Sequence, residues 1–118
     1  NFDFLIKTSL IKDFTKYSLG AHADTTTKFV TFLFYIPSNN DLQKVGTTLY
    51  QPIYSADPLK HHSAEETKQN FKKIKTCPFI PNSVLIFPRT SISFHGVEEV
   101  NINQKERNLL LLNYFFKS

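Results

Sequence analysis

Short apolar runs closed by turn residues recur along the whole chain, and this pattern constrains the fold more than any other feature. Residues 2–6, 10–17, 29–36, 47–53, 83–87, 91–97 and 107–116 are rich in β-branched, aromatic and other apolar side chains. Pro37, Pro81, Pro88 and the run Ser38-Asn39-Asn40-Asp41 punctuate them, and the prolines sit at or between the runs. Many short strands separated by turn signals predict a mainly β sandwich or barrel. The 118 residues suit one domain, 1–118, with a core of its own.

One segment differs. Ser63-Ala64-Glu65-Glu66 reads as a capping box, so a short helix is expected from there through residues 67–73, with Phe71 and Ile74 on one side. It sits in an insertion, residues 54–76, expected near the mouth of a barrel or along a sheet edge. Lys72, Lys73 and Lys75 read as a solvated face of that helix. The net charge is +4, but the other basic residues are scattered, so a nucleic-acid partner is not expected. No apolar stretch approaches the ~20 residues that cross a bilayer, and no membrane association is expected. A lone cysteine, Cys77, cannot form an internal disulfide, which points to a reducing, cytoplasmic setting.

Two strands are apolar on both faces. In residues 107–116, alternation puts Leu109, Leu111 and Phe115 on one side and Leu110, Leu112, Tyr114 and Phe116 on the other; residues 29–36 behave alike. A sheet with one wet face alternates more cleanly. Either a second copy of the chain or a missing N-terminal helical segment is expected to cover the outer face. The chain contains no Met, even at position 1, so it reads as part of a longer reading frame or as trimmed.

Chemistry concentrates in a few residues. His22-Ala23-Asp24 places an imidazole and a carboxylate at i and i+2, on one face if the segment is a strand. His95 supplies a third ligand, and two His with one carboxylate form the facial triad of non-haem Fe(II) oxygenases. His-x-Asp alone is common by chance. Arg107 follows His95 by twelve residues, and Arg89 is the only other arginine among 14 basic residues. Phe, Ile, Asn and Lys abound, the bias of an AT-rich genome, so each arginine asks for a reason. Arg107 either binds a carboxylate ligand bidentately or pairs with Glu98, Glu99 or Glu106 at a strand end.

The run 17–24, followed by Lys28, Thr31 and Phe34-Tyr35-Ile36-Pro37, resembles the first metal motif of Fe(II)/2-oxoglutarate-dependent oxygenases. Residues 46–50 resemble the next strand, 81–87 with 93–97 the second motif, and 107–116 the last strand. The likeness covers residues 15–116 apart from the insertion and is nearest to the prolyl-4-hydroxylase-like branch. There a Lys commonly meets the co-substrate carboxylate, where this chain has Arg107. The resemblance implies a double-stranded β-helix, the cupin-like jelly roll, with one short inserted helix. It implies Fe(II) on His22, Asp24 and His95, with 2-oxoglutarate as co-substrate and its distal carboxylate on Arg107. The products would be succinate, CO2 and a hydroxylated small-molecule or peptide substrate. Tyr17, Lys28 and Thr31 are candidates to hold the co-substrate, against plain strand packing or, for Lys28, a solvated side chain. Asn113 faces the cavity or is a satisfied core polar group, Gly96 lets backbone pass near the metal, and His61-His62 reads as loop without a metal role. Two alternatives remain: a cupin-like metal protein that does not use 2-oxoglutarate, and a non-catalytic jelly-roll binding module.

Overall fold

A computed structural model describes residues 3–103 and 105–117. Among them are eight strands: β1 (Phe4–Asp13), β2 (Leu19–His22), β3 (Lys28–Tyr35), β4 (Thr48–Pro52), β5 (Phe71–Thr76), β6 (Ser83–Pro88), β7 (His95–Val97) and β8 (Arg107–Phe116). One α-helix, α1 (Ala64–Asn70), precedes β5. The strands form two four-stranded antiparallel sheets, ordered β1-β8-β3-β6 and β2-β7-β4-β5. The chain therefore passes repeatedly between the sheets, and neither sheet closes into a barrel.

Turn chemistry sets the strand ends where the sequence suggests. Asn82 takes a left-handed φ of 57° just before β6, a conformation Asn tolerates. The capping box forms: Glu66 N donates to Ser63 Oγ at 3.1 Å, and Ser63 N donates to Glu66 Oε1 at 3.4 Å.

Four expectations need correction. The runs at 2–6 and 10–17 are not two strands: Phe4–Asp13 is one strand, held through Lys7-Thr8-Ser9 by its pairing with β8, and 14–17 lie outside it. The helix stops at Asn70, and Phe71–Thr76 is strand, not the second half of a helix. Phe71 is buried against Phe94 and Ala21, and pairing with β4 outweighs the local helical signal. Lys72, Lys73 and Lys75 thus lie on an edge strand, where charge discourages further pairing. The strand expected over 91–97 shrinks to β7, because Ser and Thr hydroxyls close a turn: Thr90 N donates to Ser93 Oγ at 2.9 Å and Ile92 N to Thr90 Oγ1 at 3.2 Å. Asp24 lies beyond the end of β2, so it does not share a strand face with His22.

The core lies between the sheets. Leu33 and Tyr35 of β3, Leu109 of β8 and Phe79 are buried together, with Leu85, Phe87 and Leu111 packed against them. Tyr35 Oη donates to Thr47 Oγ1 at 2.9 Å and accepts from Thr47 N at 3.0 Å, so its polar end is satisfied. The opposite face of the first sheet is apolar as well. One row across it reads Leu10, Leu110, Phe34, Val84. The next reads Thr8, Leu112, Phe32, Ile86. Odd-numbered residues of β8 face the core and even-numbered ones face out, as alternation predicts.

Candidate metal centre

The end of β2, the start of β7 and the segment after β2 bring His22, Asp24 and His95 together; one ligand atom from each lies within 4.8 Å of the others. His22 Nε2 stands 3.4 Å and His95 Nε2 3.5 Å from Asp24 Oδ1. Both imidazoles are turned by their other nitrogen. His22 Nδ1 lies 3.0 Å from the Gly20 carbonyl oxygen, and His95 Nδ1 2.9 Å from that of Ser93. A carbonyl can only accept, so each Nδ1 carries a proton, and each Nε2 points at Asp24, where it would give its lone pair to a bound metal. This donor set, two neutral imidazoles and one carboxylate oxygen, fits a divalent transition metal with open positions.

Asp24 is held at three points. Thr31 Oγ1 donates to its Oδ2 at 3.1 Å, and Lys28 Nζ lies 3.3 Å from the same oxygen. Arg89 Nε donates to the Asp24 carbonyl at 3.0 Å, which pins the backbone beyond the strand end. Oδ2 is thereby occupied and Oδ1 faces the imidazoles. Burial disfavours charge on Asp24, but hydrogen bonds from His22 and His95, with the charges of His95 and Lys28, outweigh it. Its carboxyl is held well below the usual carboxylate range.

The seven residues expected to hold the metal and the co-substrate, His22, Asp24, His95, Arg107, Tyr17, Lys28 and Thr31, line one cavity of about 140 Å³ between the sheets. Leu33, Phe87, Leu109 and Leu111 supply its apolar wall. A larger cleft of about 420 Å³ beside α1 is lined by none of the seven. Gly96 matters here, because a Cβ on it would run into the Leu19 carbonyl and push β7, with His95, away from β2.

Arg107 does not make the strand-end pairing with a glutamate that its sequence position offered. It is buried, at 2% exposure. Its Nη1 donates to Asp13 Oδ2 at 2.7 Å and its Nε to the Val45 carbonyl at 2.6 Å. Its partner is Asp13, 94 positions away, and not Glu98, Glu99 or Glu106. The guanidinium also lies over the Phe79 ring, 5.1 Å from the centroid. Two of its five N–H bonds are used in these contacts. Tyr17 lies near this pair: burial and the Asp13 charge raise its phenol, and Arg107 opposes them.

Three contributions were not anticipated. Asp13 carried no local signal, since its partner is distant in sequence. Arg89 carried one, as the other arginine of a lysine-rich chain. His61 stacks on His22 with ring centroids 4.4 Å apart and planes at 14°. The loop is fixed there because His62 N donates to the Ala21 carbonyl at 3.0 Å, and because Gly20 leaves room for the His62 backbone. Residues 54–76 thus border the centre at His61 and supply the sheet edge at β5. Asn113 is buried opposite Thr31 with no hydrogen-bond partner for its Oδ1 among the described residues, and it is not among the residues that line the cavity.

No α-helix among the described residues is long and apolar enough to cross a membrane. Set against known proteins, the chain matches no protein-family model and no curated protein.

Proposed function

We propose that the chain is the core of an Fe(II)- and 2-oxoglutarate-dependent oxygenase, a hydroxylase working in a reducing cytoplasmic setting. The observation that carries the reading is the convergence of His22 Nε2, His95 Nε2 and Asp24 Oδ1 in one small cavity that also presents two cations, Lys28 and Arg107. The strand order β1-β8-β3-β6 against β2-β7-β4-β5 supports the jelly-roll reading, in which eight antiparallel strands alternate between two sheets.

When bound, Fe(II) with 2-oxoglutarate and O2 would supply oxidative decarboxylation to succinate and CO2, coupled to hydroxylation of a substrate C–H bond. The protein's part is positional. His22 and His95 offer neutral nitrogens, and Asp24 offers the anionic oxygen. Thr31 and Lys28 keep Asp24 from turning away. Lys28 or the free N–H groups of Arg107 would attract a carboxylate of the co-substrate. The leucines and Phe87 give the cavity an apolar wall.

One observation favours a second reading. Arg107 is already neutralised by Asp13, as suits a cupin-like metal protein with no dicarboxylate to bind. A single experiment separates the two. Purified protein is titrated with Fe(II), or with Co(II) or Ni(II) in its place, and then supplied with 2-oxoglutarate while succinate is measured. One equivalent of metal, lost in Asp24→Ala, with succinate release is the expected result. Metal binding without succinate supports the cupin-like reading. No metal binding, or tetrahedral zinc held by other residues, refutes both.

A further inference from the structure

The apolar outer face of the sheet β1-β8-β3-β6 lies on the side away from the metal centre. Ile6, Leu10, Phe34, Val84, Ile86 and Phe116 are each between 36% and 80% exposed on it. The β-bulge at the start of β3 adds Phe29 to the same face, with its ring 5.3 Å from Phe4 and 5.4 Å from Phe116.

Four strands at ~4.8 Å spacing and about nine residues at ~3.4 Å give a face of roughly 600 Å². That is at the upper end of the roughly 300–600 Å² that the largest patch of a typical monomer covers. We infer that this face is the interface of a twofold homodimer, two copies packing sheet to sheet. Two such faces remove roughly 1,200 Å² from water, the lower edge of the range for stable interfaces. Sheets pack face to face about 10 Å apart with strands aligned to within about 30°, and apolar rows of this kind interdigitate at that distance. Charge points the same way. Lys12 stands at one margin and is paired with Glu106 at 3.4 Å. The apolar rows themselves bear no charge, so two like faces do not repel. They also lack the lysines and arginines that would draw the face to an anionic lipid surface.

The test is mass in solution, read without metal, so it stands or falls apart from the oxygenase reading. Light scattering after gel filtration at tens of micromolar should give twice 13.7 kDa. Leu10→Lys/Ile86→Lys puts a charge on each edge strand and should give the monomer mass with the circular dichroism spectrum unchanged. Leu10→Lys alone, at a side chain 80% exposed and outside the core, keeps the test decisive if the double variant fails to fold. It should raise the dimer dissociation constant at least about tenfold, the effect of losing one well-packed contact. A wild-type monomer over this range overturns the inference and leaves the face to another partner, such as a preceding segment or a different protein. A dimer indifferent to Leu10→Lys overturns it too, because the copies then meet elsewhere.

Discussion

Arg107→Met tests whether the guanidinium is a structural ion-pair partner or a ligand clamp. The substitution keeps most of the side-chain volume and removes the charge. It leaves Asp13, whose side chain is 6% exposed, buried with no cation beside it. Breaking a buried pair from one side costs about 3–5 kcal/mol. Unfolding entropy near ~2.1 cal/mol/K per residue gives about 250 cal/mol/K for 118 residues. The melting temperature should therefore fall by about 12–20 °C. Asp13→Asn/Arg107→Met removes both charges and should recover much of that loss, because no ion is then stranded. Thermal melts of the wild type, both single variants and the double variant form the cycle. A loss below about 1 kcal/mol in Arg107→Met, or additive losses in the double variant, refutes the structural pair. The same variant, held at a temperature where it is folded and loaded with Co(II), also reports on the clamp. If the free N–H groups of Arg107 hold the distal carboxylate, 2-oxoglutarate affinity falls by about 2–5 kcal/mol, a factor of tens to thousands. Unchanged affinity assigns that carboxylate to Lys28.

Two further outcomes follow from local contacts. Thr31→Val removes the hydroxyl that holds Asp24 Oδ2 and keeps the β-branched shape; metal affinity by calorimetry should drop about 10–100-fold with little change in folding, and an unchanged affinity means that Lys28 and Arg89 suffice to orient Asp24. Ser63→Ala opens the capping box of α1 and should cost about 0.5–2 kcal/mol in a denaturant titration, while a silent substitution would show that the His62 and Thr67 contacts to β2 alone hold the helix.

Features that depend on neighbours in the chain could be read before the fold was known. The turn before β6, the extent of β8 and the capping box at Ser63 were legible because Pro, Asn, Ser and alternating apolar residues act within a few positions. The apolar outer side of β8 was legible for the same reason, since alternation needs only the strand itself. His22, Asp24, His95 and Arg107 could be singled out by type and order, and Tyr17, Lys28 and Thr31 by the family resemblance. Their convergence on one cavity is a property of the two sheets. Tertiary structure alone decided the rest. Phe71 begins a strand because its burial against Phe94 and its pairing with β4 outweigh a helical start. Asp24 reaches the two imidazoles from outside the strand because Arg89, 65 positions away, ties down its carbonyl. Arg107 meets Asp13 because β1 and β8, near opposite ends of the chain, pair in a register that sets these two residues side by side. A buried charge takes the partner that the fold brings nearest, and separation along the chain carries no information about which one that is.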